Sequence, residues 1–283
     1  MKRAQRGFTL LEAVVVIVVT GIIAAVVAVF FVSPVRGYFE SVQRAELVDI
    51  ADTAVRRIGR DLRLALPNSL RLPGNASSAA CLEFLPTVSG GRYRAACDDG
   101  DETCAAALNL QAQDASFEVL GGLNFTPSVN DQLVVYNLGV PGADAYEGSN
   151  RATIVAPFST TTINLAAPGK QFPFASPFNR FHIIPAADQA VFYVCSDPGL
   201  DAQGNGTGIL YRLSGYGIDA AVPTGCPLPG DATPILATNV SSCSFTYAPG
   251  ITQRNALVSI QLELAKQGER VPLYHEVHIS NVP

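Results

Sequence analysis

The sequence predicts an α+β fold in which a long N-terminal helix packs on antiparallel β-sheet. Residues 13–32 are almost wholly apolar, and helical spacing of apolar side chains resumes over residues 47–65. The rest of the 283-residue chain consists of short β-type runs separated by Gly, Pro, Asn or Asp, and it is long enough for a substantial core. We therefore divide the chain into a leader (1–7), a first helical half (8–32), a second helical half (33–66) and a β-rich domain (67–283).

The first helical half has the length and composition of a membrane-spanning segment. From Ala13 to Val32 only Thr20 carries a polar side chain. Twenty residues at about 1.5 Å per residue cross the roughly 30 Å hydrocarbon core of a bilayer. Basic residues before the span favour a cytoplasmic leader and an exported C-terminal part, and they are Lys2, Arg3 and Arg6.

Glu12 is the anomaly of this segment, because it places a carboxylate just inside the apolar run. Such a charge costs on the order of 2.5–3.5 kcal/mol at mid-membrane depth, so it requires a partner or a purpose. One alternative is an ordinary signal anchor with an incidental glutamate. A cleaved secretory signal is disfavoured, since residues 30–34 offer no small-residue cleavage site.

The block Gly7-Phe8-Thr9-Leu10-Leu11-Glu12 resembles the class III signal of type IV pilins and type II secretion pseudopilins. The resemblance implies that prepilin peptidase, a membrane aspartyl protease, cuts between Gly7 and Phe8, and that the new Phe8 amine is N-methylated. It also implies that Glu12 meets the N-terminal amine of a neighbouring subunit during assembly. The partners are then other major and minor pilins and an inner-membrane assembly platform.

The second helical half has one apolar face, made by residues at three- and four-residue steps: Leu47, Ile50, Ala51, Ala54, Ile58, Leu62 and Ala65. A kink or local unwinding is expected at Ser33-Pro34, and Pro67-Asn68 is expected to end the helix. Opposite charges stand four residues apart at Asp52/Arg56 and Arg57/Asp61.

Four arginines of this half admit two interpretations: Arg56, Arg57, Arg60 and Arg63. They could dock an acidic neighbour in a filament, or they could form a solvated helix face with internal ion pairs. We favour the solvated face.

The β signal begins after Arg71. The expected strands are 81–85, 131–137, 160–165, 181–184, 190–195, 208–213, 235–240 and 244–247. The clearest pair comes last, where the alternating run Leu257–Leu264 turns at Lys266–Glu269 and returns as Val271–Ile279. We expect one or two antiparallel sheets on the second half of the helix.

Charge and cysteine content point to an exported domain. The chain has 19 basic and 24 acidic residues, and removal of the three basic leader residues leaves 16 against 24, which excludes an extended nucleic-acid surface. Six cysteines follow the span, and an even number in an oxidising compartment indicates disulfides. We pair Cys97 with Cys104 across a polar loop and leave the pairing of the others open: Cys81, Cys195, Cys226 and Cys243.

The sequence offers little catalytic chemistry, and we expect no enzyme, no catalytic residues, no cofactor and no metal site. His275 and His278 are three apart in an expected strand and point to opposite faces, while His182 reads as a strand residue. Two acidic loops invite calcium, one at 197–205 with Asp197, Asp201 and Asn205, and one with Asp98, Asp99, Asp101 and Glu102. Neither has the alternate-position ligands and closing glutamate of an EF-hand, so we favour solvated turns.

Later blocks resemble large minor subunits of the same superfamily, namely J-type pseudopilins, PilW-like minor pilins and the minor subunits of mannose-sensitive haemagglutinin (MSHA) pili. The resembling blocks are residues 54–63, 66–71, 81–86, 241–247, 253–255 and 275–283. They imply a single-pass inner-membrane prepilin with a periplasmic domain that takes part in initiation or tip assembly of an MSHA-type pilus.

Two other functions remain open at this stage. One is a J-type pseudopilin of a type II secretion system, which would use the same N-terminal chemistry in a different machine. The other is a tip adhesin, whose candidate surfaces are the 97–104 loop, the 139–150 segment and an aromatic groove. The aromatic residues available for that groove are Tyr136, Tyr146 and Tyr211.

Overall fold

A computed structural model describes residues 7–97, 107–249 and 255–283. Its first element is helix α1, Leu10–Arg63, which at 1.5 Å per residue is about 80 Å long. Thr9 caps the N terminus, and its side-chain oxygen accepts the Glu12 backbone N–H at 3.2 Å. Such a cap satisfies one of the four N–H groups that a helix start leaves without a partner.

Helix α1 differs from the sequence prediction at two places. The kink or local unwinding expected at Ser33-Pro34 does not interrupt the helix, which continues through Pro34. A proline removes one backbone donor, and the turns on both sides retain theirs. The helix also ends at Arg63 rather than at Pro67, because Leu66 donates its N–H to Leu85 O at 2.7 Å and Leu64 O accepts from Thr87. Hydrogen bonds to the strand segment around residues 85–87 therefore replace the helical ones before Pro67.

The larger sheet covers the second half of α1 and has seven strands. Six follow in the order β13-β12-β11-β10-β9-β2, and β1 pairs with β11 beside them. The strands are β1 (Ser78–Ala79), β2 (Cys81–Phe84), β9 (Val191–Ser196), β10 (Gly208–Ser214), β11 (Ile235–Ala248), β12 (Ala256–Lys266) and β13 (Glu269–Ile279). All of its strand pairs are antiparallel.

The smaller sheet has six antiparallel strands in the order β6-β5-β8-β3-β4-β7. They are β3 (Ser89–Tyr93), β4 (Ser116–Leu120), β5 (Gln132–Val134), β6 (Arg151–Thr153), β7 (Thr162–Asn164) and β8 (Arg180–Ile184). Its core is separate and rich in aromatic side chains, with Phe117 packed edge-on against Tyr93 and Phe181. The α+β prediction is confirmed, and both sheets are antiparallel.

The apolar face predicted for the second half of α1 is buried on the larger sheet. Its fully covered members are Leu47, Ala51, Ala54, Ile58 and Leu62. They share one core with side chains of β11, β12 and β13, among them Phe245, Ile260 and Val277. The helix is therefore fixed to the last third of the chain.

The hairpin β12–β13 confirms the alternation read from the sequence. Its turn is shorter than expected, since only Gln267 and Gly268 separate the strands, both with positive φ (52° and 86°). Two-residue turns of this hand match the twist of antiparallel strands. The turn lies beside the helix, where Lys266 Nζ is 3.0 Å from Glu46 Oε2.

Four strands were not expected from the sequence: β1, β3, β4 and β6. Strand β3 carries Gly90 and Gly91, which weaken any strand signal. The structure explains both glycines, because a Cβ on Gly90 would lie 2.8 Å from Phe181 O and one on Gly91 would lie 2.8 Å from the Phe181 ring. Strands 235–240 and 244–247 are joined in β11.

Two disulfides stabilise the larger sheet, Cys81–Cys226 and Cys195–Cys243. The first fixes the segment after β10 to β2, and the second joins β9 to β11. These bridges settle the four cysteines that the sequence left open. The predicted Cys97–Cys104 pair involves Cys104, which lies outside the described residues.

Candidate assembly site at the N-terminal helix

The predicted processing segment lies ahead of the helix. Residues 7–9 are non-helical and exposed, and α1 begins at Leu10. Nothing lies within 4 Å of the position that a Gly7 Cβ would occupy. The fold itself therefore places no steric requirement on glycine at this position, and the peptide bond between Gly7 and Phe8 is accessible to an enzyme.

Glu12 occupies the third position of the helix, which with Thr9 gives the Thr-x-x-Glu spacing of a capping box. The structure forms one half of that box, the bond from the Glu12 N–H to the Thr9 hydroxyl. Within the described part of the chain, the Glu12 carboxylate has no hydrogen bond or ion pair. The sequence analysis did not predict this Thr9 cap, although the Thr-x-x-Glu spacing indicates it.

The first half of α1 has no cover inside the protein. Its large apolar side chains are exposed from Leu10 to Phe31, and Phe30 is 73% exposed. Over the described residues, this is the one helix long and apolar enough to cross a membrane. So much unburied apolar surface in a soluble protein would be costly, at about 25 cal/mol per Å².

Comparison with known families decides the nature of this segment. Residues 2–28 match the prokaryotic N-terminal methylation motif. The chain carries a prepilin signal. The motif supports a type IV pilin-like or pseudopilin-like protein and implies processing by prepilin peptidase followed by pilus or secretion assembly. No curated protein and no solved structure matches the chain.

The arginines of the second helical half divide into two groups. Arg56 pairs with Asp52 at 2.6 Å, and Arg57 pairs with Asp61 at 3.3 Å, as the four-residue spacing predicted. Arg60 and Arg63 form no ion pair with any described residue. They line an open cleft of about 600 Å³ between the helix and Tyr274 of β13. The favoured interpretation, a solvated face with internal ion pairs, therefore holds for two of the four arginines.

Asp61 connects the helix to the larger sheet. Its Oδ2 accepts from the Tyr193 hydroxyl at 2.7 Å and from Arg212 Nε at 3.0 Å. Arg212 continues to Asp188 at 3.1 Å. Burial and the neighbouring Asp61 carboxylate raise the pKa of Tyr193 well above its usual range, so its hydroxyl remains a donor.

A second buried charge pair lies between the sheets. Arg71 bonds to Glu83, whose other oxygen accepts from the Tyr216 hydroxyl at 2.9 Å. The Arg71 guanidinium lies 3.6 Å from the ring centroid of Tyr146. Burial raises the pKa of Glu83 against the opposing effect of Arg71. This cluster joins β2 of the larger sheet to the loop between β5 and β6 of the smaller one.

The acidic loop at 197–205 closes on itself. The Asp201 carboxylate accepts N–H bonds from Gln203 and Asn205 at 2.9 and 2.8 Å, and the Asn205 amide at 2.9 Å. These bonds, first that from the Asn205 side chain, lower the pKa of Asp201. No cluster of three metal-ligating side chains occurs in the ranges that the structure covers. The other calcium candidate, Asp98 to Glu102, lies outside those ranges.

The three histidines lie apart. His275 faces the helix beside Gly59, and His278 is exposed on the opposite face of β13. His182 lies in β8, and its Nε2 is buried without a hydrogen-bond partner among the described residues. Burial first, and then the charge of Arg180, lower its pKa to about 4.

The tyrosines proposed for an adhesive groove are not exposed together. Tyr146 is buried in the contact with Arg71. Tyr136 is half-buried against the core of the smaller sheet, and Tyr211 is half-buried in β10 of the larger sheet. The 139–150 segment is held inward by Asn137, which accepts the Ala145 N–H at 2.8 Å. This part of the molecule connects the two sheets.

Proposed function

We propose that this protein is a minor pilin, similar to MshO, that is processed between Gly7 and Phe8 and takes part in initiation or tip assembly of an MSHA-type type IV pilus. The observation that carries the proposal is the methylation motif at residues 2–28, placed on an uncovered apolar helix. The role is structural, without catalysis or a cofactor. The helix anchors the chain in the inner membrane, and the two sheets face the periplasm until assembly.

The chemistry of assembly rests on Glu12. A carboxylate in the membrane and the methylated Phe8 amine of a neighbouring subunit are each costly alone in lipid. When paired they cost less, and the pair fixes the axial position of one helix against the next. The Glu12 carboxylate has no partner among the described residues, and the Gly7–Phe8 bond is accessible; both support this arrangement.

The bulk of the domain favours a terminal position in the filament. The smaller sheet follows the end of α1, since β3 begins two residues after Thr87, whose N–H bonds to Leu64 O at 2.8 Å. A subunit that repeats along a filament must leave room for the next one above its helix. A domain with a second sheet at that level fits best where nothing stacks above it.

Processing is tested by intact mass and N-terminal sequencing of the protein produced with and without prepilin peptidase. The expected product starts at N-methyl-Phe8 and appears only with active peptidase. A chain that still starts at Met1 in the presence of active peptidase would contradict the proposal.

The role of Glu12 is tested in the Glu12→Val variant, with Glu40→Gln as the matched control on the same helix. We expect normal processing of both variants, loss of Glu12→Val from sheared filaments, and retention of Glu40→Gln. Incorporation of Glu12→Val into filaments at the normal level would contradict the proposed role of Glu12 in assembly.

The J-type pseudopilin alternative is tested in the source cell by deleting the pilus assembly ATPase or the secretion ATPase separately. Loss of the protein from sheared surface fibres only in the pilus deletion supports the pilin role. Dependence of secreted-protein release on this chain, with pili unaffected, would assign it to the secretion machine.

A further inference from the structure

Phe178 holds an unusual conformation on the surface of the smaller sheet. It is the third residue of the turn Ser176-Pro177-Phe178-Asn179, closed by the Asn179 N–H to Ser176 O at 3.0 Å. Its φ of 61° and ψ of 20° lie in the left-handed region. A turn with proline second and a positive φ third normally has glycine or asparagine at that place. A phenylalanine there is strained.

Internal packing does not account for the strain. The other large aromatic residue with positive φ, Tyr136, packs against the core of the smaller sheet. Phe178 is instead 69% exposed. Strained conformations persist where the surroundings over-determine them, and they concentrate at functional sites.

The turn is held rigidly by its neighbours. The Ser176 hydroxyl donates to Arg180 O at 2.7 Å and accepts the Arg180 N–H, and the Ser176 N–H donates to the Tyr93 hydroxyl at 3.1 Å. Arg92 Nε donates to Phe178 O at 3.0 Å. Four contacts therefore fix a turn whose central side chain points into solvent, which is the arrangement of a preorganised binding group.

The charges around the ring are positive. The Arg180 guanidinium lies 5.3 Å from the Phe178 ring centroid, and Arg92 contacts the backbone of the same residue. Neither arginine has a carboxylate within 4.0 Å among the residues that the structure describes. Two uncompensated cations beside an exposed ring, on a chain with a formal charge of −5, favour an anionic ligand with an apolar face.

We propose that Phe178, Arg92 and Arg180 form a binding site for an acidic saccharide, with a pyranose ring stacked on Phe178 and its carboxylate held by the arginines. The C–H face of a sugar complements the negative face of an aromatic ring. A protein partner fits less well, since a stable interface buries on the order of 1,200–2,000 Å², far more than one ring and two arginine side chains supply. Here one guanidinium group lies beside the ring, and a second bonds to the backbone oxygen of the same residue.

The site is remote from Glu12 and does not rest on the proposed function. The probe is hexagalacturonate, titrated by calorimetry into the full mature chain in detergent micelles, with neutral maltohexaose and hexaglutamate as comparison ligands. We expect binding of hexagalacturonate that weakens with added salt, and at least about tenfold weaker binding of either comparison ligand.

The decisive variant is Phe178→Gly, because glycine suits the turn. We expect at least about tenfold weaker binding together with a Tm that is unchanged or higher by ~2–3 °C. Phe174→Ala is the matched control, since Phe174 is 51% exposed in the same segment, has no positive φ, and its loss leaves binding intact. Arg180→Gln should weaken binding and reduce its dependence on salt.

Three results would overturn the proposal. They are no binding of hexagalacturonate at millimolar concentration, unchanged binding by Phe178→Gly, and hexaglutamate binding as tight as that of the saccharide. Filament incorporation of Phe178→Gly is measured in parallel and should be normal. A failure of saccharide binding with normal incorporation therefore leaves the pilin role standing.

Discussion

The two halves of helix α1 are built from similar apolar residues and meet opposite surroundings. From Leu10 to Phe31 the apolar side chains are exposed all round the helix. From Leu47 to Leu62 most of them lie on one face, which is buried on β11, β12 and β13, whereas Val48 is 43% exposed. A helix that is apolar all round needs lipid or other helices, whereas a single apolar stripe needs only a sheet. The distribution of apolar side chains around the helix, rather than their number, distinguishes the environments of the two halves.

The strongest test of this contrast truncates one isoleucine in each half. Ile58→Ala leaves a cavity in the shared core and should reduce the free energy of unfolding by ~2–5 kcal/mol. Ile22→Ala, at a position 60% exposed, should leave it unchanged. Denaturant unfolding of the mature chain in micelles, followed by tyrosine fluorescence, measures both. Equal losses would show that the two halves share one packing environment.

Acidification should affect the β-rich part, because all three histidines follow the helix. The pKa of His182 falls from 6.5 to about 4 on folding, so the unfolded chain binds more protons between these values. Its contribution is complete above pH 6.5 and is lost as the pH falls towards 4, by about 3 kcal/mol in total. His182→Gln should flatten this part of the pH profile of unfolding, and the exposed His278→Gln should not.

The ion pairs of the second half offer a smaller contrast. Asp61→Asn deprives Arg212 of a half-buried carboxylate and weakens the Tyr193 bond, so it should cost ~1–3 kcal/mol of unfolding free energy. Asp52→Asn breaks the exposed pair with Arg56 and should cost less than ~0.5 kcal/mol. Thermal unfolding of the two variants gives the comparison. Equal costs would mean that Asp61 does not connect the helix to the sheet.

A similarly small effect is expected for the two arginines at the cleft beside β13. Arg60→Gln and Arg63→Gln remove charges that have no ion-pair partner among the described residues, and each should change the free energy of unfolding by less than ~0.5 kcal/mol. A larger loss in urea unfolding would reveal an internal role for these arginines.

The sequence predicted most of what depends on periodicity. The buried face of α1 and the alternation of β12 and β13 follow from three-, four- and two-residue spacing. The Gly7–Glu12 block was also visible, because a lone carboxylate in an apolar run is conspicuous.

Features that depend on contacts between residues distant in the chain could not be predicted from the sequence. Strand β3 was hidden because its glycines serve the close approach to Phe181, a residue ninety positions later. The pairs Cys81–Cys226 and Cys195–Cys243 depend on which strands become neighbours. The strain at Phe178 shows only in its backbone angles, since Pro-Phe-Asn alone does not reveal that Phe178 takes a positive φ together with Asn179.

The burial of the helix by the last strands has a consequence for biogenesis. The ribosome makes α1 first, yet its apolar face on residues 47–62 has its cover in β11, β12 and β13, which are made last. Such sequence-distant contacts close slowly. During synthesis the helix therefore keeps an open apolar stripe until some two hundred further residues have been made. The nascent protein is therefore most exposed to aggregation and proteolysis in the interval between the synthesis of α1 and that of β13.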